Sequence, residues 1–122
     1  MTVVWMALAG GIGAVARFVL DGLVRDRFGS TFPLGTVLIN VTGSFVLGVV
    51  TGLFLGQVVP DEWQFVVGTG FCGGYTTFST ASFETVRLVE QRRPGLALLN
   101  AVGTLVTTVV AATLGLWVGL QA

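Results

Sequence analysis

Gly68-Thr69-Gly70-Phe71-Cys72-Gly73-Gly74-Tyr75-Thr76-Thr77-Phe78-Ser79-Thr80-Ala81-Ser82 is the stretch on which the fold turns. Clustered glycines followed by hydroxyl side chains make a poor continuous helix, since each interior Gly costs about 1 kcal/mol relative to Ala. Yet no charged residue occurs from Trp63 to Phe83, a run of the length that crosses a bilayer. Irregular backbone at membrane depth survives only where protein buries it or where it lines a cavity. Interrupted membrane helices offer freed carbonyls to a cation and helix N-termini to an anion. A break near residues 73–77 is therefore expected, and it is the best pointer to a binding site in this chain.

The surrounding composition sets the solvent. Of 122 residues, 53% are hydrophobic and 10% charged, against roughly a quarter charged in an ordinary soluble domain. Arg alone supplies the positive charge, balanced by six acids, and His is absent. A nucleic-acid binder needs a basic surface, which zero net charge does not supply. Catalysis built on His is excluded, and Cys72 alone forms neither an internal disulfide nor a zinc cluster. The reading is an all-α integral membrane protein and not an enzyme.

Charge-free runs cover residues 1–16, 28–60, 63–83 and 94–122. A crossing helix needs about 20 residues, so four are expected near 3–20, 35–56, 63–86 and 95–120, forming one subunit over 1–122. Residues 28–33, with Gly, Ser, Thr and Pro, read as a connection. The first run lacks the leading positive charge of a cleaved signal peptide. Arg25 and Arg27 fall in the first connection, and Arg87, Arg92 and Arg93 in the third; the other outer segments carry no Arg. The positive-inside rule puts both Arg-bearing connections in the cytoplasm.

Gly48, Gly52 and Gly56 repeat along one face of the second helix, and Gly115 and Gly119 near the end of the fourth. Such faces serve helix-to-helix contact. Two polar ladders are more telling: Thr36, Asn40 and Ser44 on the second helix, and Asn100, Thr104 and Thr108 on the fourth, with Thr107 beside it. A lone Thr satisfies itself on a carbonyl one turn back. Two ladders carrying Asn amides instead line a protein contact or a watery path, because an unbonded amide in hydrocarbon is costly. A proton-coupled pump generally needs a titrating group in the membrane, and the interior of the three later spans has no Asp, Glu, Lys, Arg or His. Hydroxyls such as those of Thr77, Ser79 and Thr80, Asn amides and the positive ring edge of Phe78 suit a small hard anion. A cation on carbonyls at the break would add fixed positive charge nearby. Arg17 either snorkels to the interface and pairs with Asp21 or gathers anions at the inner mouth. Glu84 and Arg87 read as a surface pair.

Three motifs together carry a resemblance: Gly10-Gly11-Ile12-Gly13-Ala14-Val15-Ala16-Arg17, Gly35-Thr36-Val37-Leu38-Ile39-Asn40-Val41-Thr42-Gly43-Ser44-Phe45, and Gly70 to Thr80. In order and length the whole chain resembles the Fluc (CrcB-type) fluoride channels. The resemblance implies an antiparallel, dual-topology dimer of four-helix subunits in the plasma (inner) membrane of a bacterium, in contact with membrane lipid and containing two pores. It implies one structural, untransported sodium ion on main-chain carbonyls of the broken third helices, here those of Gly73 and Thr76. It implies a pore lined by Asn40 and the edge of Phe78, with Thr104, Thr108 and Asn100 along the fourth helix. Cytoplasmic fluoride then leaves down its gradient, which relieves its toxicity.

The chain departs from that family's pattern where a second pore phenylalanine is Ala81, where a Tyr is Asn100, and where serines are Thr104 and Thr108. A self-paired antiparallel dimer needs near-equal insertion in both orientations, and the Arg asymmetry opposes that. Pairing with a related subunit of opposite bias is the expectation beside self-pairing. Two rivals are a small four-helix multidrug exporter, which needs a buried acid where the first span has only Arg17, and a non-transporting scaffold subunit, which leaves the ladders and the break without a reason.

Overall fold

The computed structural model describes residues 1–29 and 32–122, and among them every regular element is helical. In chain order these are α1 (Thr2–Phe28), α2 (Leu34–Leu55), α3 (Asp61–Trp63), a π-helix π1 (Gln64–Cys72), α4 (Gly73–Tyr75), α5 (Phe78–Glu90) and α6 (Pro94–Leu120). Three of them, α1, α2 and α6, are long and apolar enough to cross a membrane.

Helix α1 runs past the expected end at residue 20. Its 27 residues span about 40 Å at about 1.5 Å each, against a hydrocarbon core of about 30 Å. The charged last turns therefore stand clear of the apolar region, with Arg25 and Arg27 at the negative end of the helix dipole. Gly29, at φ +83°, ends the helix, and its N–H bonds the Arg25 carbonyl. Of the connection expected at 28–33, Phe28 belongs to α1, while Ser30 and Thr31 lie outside the described residues. Pro94 opens α6 in the first turn, where its missing N–H leaves nothing unpaired.

The α2–α6 contact is the most extensive in the molecule, and glycine makes it possible. A Cβ on Gly52 would lie 2.6 Å from the Leu116 carbonyl oxygen, and Cβ atoms on Gly48, Gly115 and Gly119 would collide with the carbonyls of Ala112, Phe45 and Val49. Each helix thus presents a groove to the other's backbone, as the sequence spacing anticipates. Gly56 is different: it is exposed and closes the end of α2.

Residues 61–90 do not form one rod. Helix α4 stops at Tyr75, Thr76 has ψ 158° and Thr77 has φ −149° and ψ 120°, so the two threonines are extended before α5 begins at Phe78. The leading part packs closely on α1, where a Cβ on Gly74 would strike the Gly10 carbonyl and one on Gly13 the Phe71 carbonyl. Helix α5 packs instead on α6.

Candidate functional site

Helix α2 organises the interruption from one face. Asn40 Nδ2 donates to the Thr77 carbonyl at 3.0 Å, and the Thr77 N–H donates to Asn40 Oδ1 at 2.8 Å. One turn on, Gly43 carries no side chain where Tyr75 and the Thr76 methyl sit. Thr42 Oγ1 lies 2.9 Å from the Tyr75 hydroxyl, whose ring stacks on Phe71 at 5.6 Å. Thr77 then caps α5, its Oγ1 accepting the Thr80 N–H at 3.1 Å.

These bonds leave two carbonyls without their helical donors. In a continuous helix the Thr77 N–H would bond the Gly73 oxygen and the Thr80 N–H the Thr76 oxygen. Both N–H groups go to side-chain oxygens instead. Gly73 is exposed, with open space beside its Cα.

Beside the break lies a cavity of about 590 Å³ whose wall carries no charged side chain. It gathers Asn40, Thr76, Thr77, Phe78, Asn100, Thr104 and Thr108 from three separate stretches of sequence, together with Ala81. The ring of Phe78 stands 87% exposed. Gly73, Ser79, Thr80 and Arg17 do not line it. Sequence reasoning missed Ser82 and Thr85 on this wall. Their signal was spacing: three and four residues separate Phe78, Ala81, Ser82 and Thr85, the repeat of one helix face.

The fourth-helix ladder divides by where its polar atoms point. Asn100 is 2% exposed, and its Nδ2 donates to Thr85 Oγ1 at 2.7 Å. Thr85 gives its own hydrogen to the Ala81 carbonyl at 2.9 Å, which makes its oxygen the acceptor of that amide. Thr107 and Thr108 bond back to the carbonyls of Gly103 and Thr104 at 2.6 and 2.7 Å. Thr104 lines the cavity, but its Oγ1 is shielded from the open space and has no protein partner among the described residues, so its donor is uncommitted.

Two charge assignments change. Glu84 is no surface group: it is buried and accepts a hydrogen bond from Thr36 Oγ1 in the first turn of α2. The helix N-terminus there favours a carboxylate, and the stacking of Thr36 below Asn40 is what brings the two helices to it. Asp21 pairs with Arg25 at 2.7 Å and not with Arg17. Arg17 is half-buried on α1, and its Nε has no protein partner among the described residues.

Residues 4–116 match the family described as CrcB-like protein, Camphor Resistance (CrcB). The chain belongs to the CrcB family. Within that family it is 60% identical over 119 residues to the fluoride-specific ion channel FluC 1 of Leifsonia xyli subsp. xyli, covering 98% of this chain and 87% of the relative. It is 47% identical over 120 residues to FluC 2 of Cutibacterium acnes, with 98% of each chain covered. It is 42% identical over 115 residues to FluC of Pyrococcus abyssi, covering 93% of this chain and 92% of that one. As in the CrcB resemblance read from sequence, the matched region takes in Asn40, the break and the α6 ladder together.

Proposed function

We propose that the chain is the subunit of a fluoride-selective passive channel in a bacterial cell membrane, which lets cytoplasmic fluoride out down its electrochemical gradient. The observation that carries this reading is the uncharged cavity beside the interrupted helix, lined by the exposed ring of Phe78 and by Thr104, whose shielded hydroxyl is uncommitted. Relatives bearing the name fluoride-specific ion channel support it. Fluoride is small and strongly hydrated, so its passage calls for O–H and N–H donors and positive ring edges in place of lost water. With no acid on the wall, passive flow is simpler than proton coupling.

In this reading residues 61–90 make a fourth, broken crossing. Residues 61–75 and α5 are each too short to span the core, and together they reach a full crossing. The exposed Phe78 face is then covered by a second subunit inserted upside down, either another copy or a related chain. The Arg asymmetry favours the related chain.

A structural sodium ion fits the donor chemistry at the break. Among the described residues no three His, Cys, Asp or Glu side chains gather, so a cation here relies on carbonyl oxygens, the ligands that hard cations prefer. Gly73 and Thr76 would hold it, since their carbonyls have lost their helical donors. When bound, the ion supplies a fixed positive charge beside the anion route. Two carbonyls from one chain make half a coordination shell, which suits a partner contributing the same pair.

Liposomes loaded with fluoride or chloride test the reading, with the chain alone and with a second CrcB chain of opposite Arg bias. Fluoride loss without chloride loss is expected, faster with the pair. In the pair, Ala81→Phe restores a ring edge to the wall and speeds the loss. Drug-dependent proton flux, or silence from the pair, contradicts the channel.

A further inference from the structure

A helix closes on itself wherever nothing competes for its N–H groups, because each added residue gains a hydrogen bond. At the break the competitor is identifiable. The Asn40 amide takes the Thr77 N–H at 2.8 Å and returns a donor to the Thr77 carbonyl at 3.0 Å. One side chain satisfies both main-chain groups of one residue, as a neighbouring strand would, and Thr77 is correspondingly extended at φ −149°. Asn40 is itself buried, which limits the competition of water for the pair.

The other bonds at the break do not have this effect. Thr76 Oγ1 donates to the Cys72 carbonyl at 2.7 Å, a bond equally available in an unbroken helix. The Thr42–Tyr75 contact at 2.9 Å fixes a ring and leaves the main chain free. The Thr77 cap on the Thr80 N–H needs Thr77 to be non-helical already. Among the described residues, Asn40 alone engages the main chain of the break from another helix.

We propose that Asn40 is a positioning residue for the cation: its amide clamps residues 76–77 open and so keeps the Gly73 and Thr76 carbonyls free. The clamp rests on the cation reading given above and adds to it the group responsible. Without the amide, the Thr77 N–H returns to Gly73 and one cation ligand is lost.

The test uses the full chain in detergent or liposomes, with ¹³C labels at Thr76 and Thr77 and sodium as the probe against a potassium control. Asn40→Leu moves both labels from extended to helical shifts and weakens the sodium-dependent rise in melting temperature by more than about tenfold in sodium concentration. Asn40→Asp keeps an acceptor for the Thr77 N–H and retains the extended shifts and the sodium response. A purely structural Asn40 would lower the melting temperature equally in sodium and potassium and leave the shifts unmoved. That result, or helical closure in Asn40→Asp, overturns the clamp. If the labels move as expected but the unaltered chain ignores sodium, the cation reading fails and the conformational clamp stands.

Discussion

Thr104 and Thr108 sit one turn apart on the same cavity wall, and the fate of one hydrogen separates them. Thr108 spends its hydroxyl on the Thr104 carbonyl, as Thr107 does on Gly103, while Thr104 keeps its own. Fluoride stripped of water needs donors, and losing one charge-assisted hydrogen bond costs about 1.5–3 kcal/mol. Of these three threonines, Thr104 alone can turn its hydroxyl about χ1 towards the cavity without breaking a hydrogen bond. Thr104→Val is therefore expected to slow fluoride efflux about ten- to hundredfold, whereas Thr107→Val changes it less than about twofold, as befits an exposed position. Equal losses from the two would refute the assignment. This distinction was not legible beforehand: the i, i+4 spacing put the threonines on one face, but which hydroxyl bonds backward depends on rotamers and on what α5 presents. Glu84 was misread for a related reason. Its neighbour Arg87 was visible in sequence, while its partner Thr36 is brought to it only by the tertiary fold.

At the scale of elements, the glycine faces were readable because close helix approach has few other solutions. Gly48, Gly52, Gly115 and Gly119 meet the facing backbone as expected, and Gly56 does not because α2 has ended there. Gly115→Leu would drive a side chain into the Phe45 carbonyl, whereas Gly11 has open space beside it. Overpacking costs typically 1–3 kcal/mol and more against rigid backbone. Thermal unfolding in detergent should show Gly115→Leu markedly destabilised and Gly11→Leu near the unaltered chain; the reverse order would contradict the packing described here. The break was legible as a region, from clustered Gly and hydroxyls, and its position at residues 76–77 was not. That depends on a side chain from α2, far away in sequence. The π-helical turn of residues 64–72, which seats Gly70 close against α1, had no signal in the sequence.

For the whole molecule, the number of apolar runs and the Arg distribution were plain in the sequence, because bilayer thickness and charge translocation act on composition. Whether a second subunit covers the exposed Phe78 was not legible, since one chain does not display its partner's surface. The Arg bias predicts that a reporter fused after Ala122 is active outside the cytoplasm in most molecules of this chain, and in the opposite sense in a complementary partner. Equal activity on both sides would point to self-pairing. The central claim is that the cavity beside the break passes fluoride passively, and the reversal potential of current through the reconstituted pair tests it most directly. With a tenfold fluoride gradient set against an opposite chloride gradient, the current should reverse near the fluoride equilibrium potential, about 59 mV in magnitude. Reversal at the chloride potential, or a potential that follows pH and not fluoride, would contradict it.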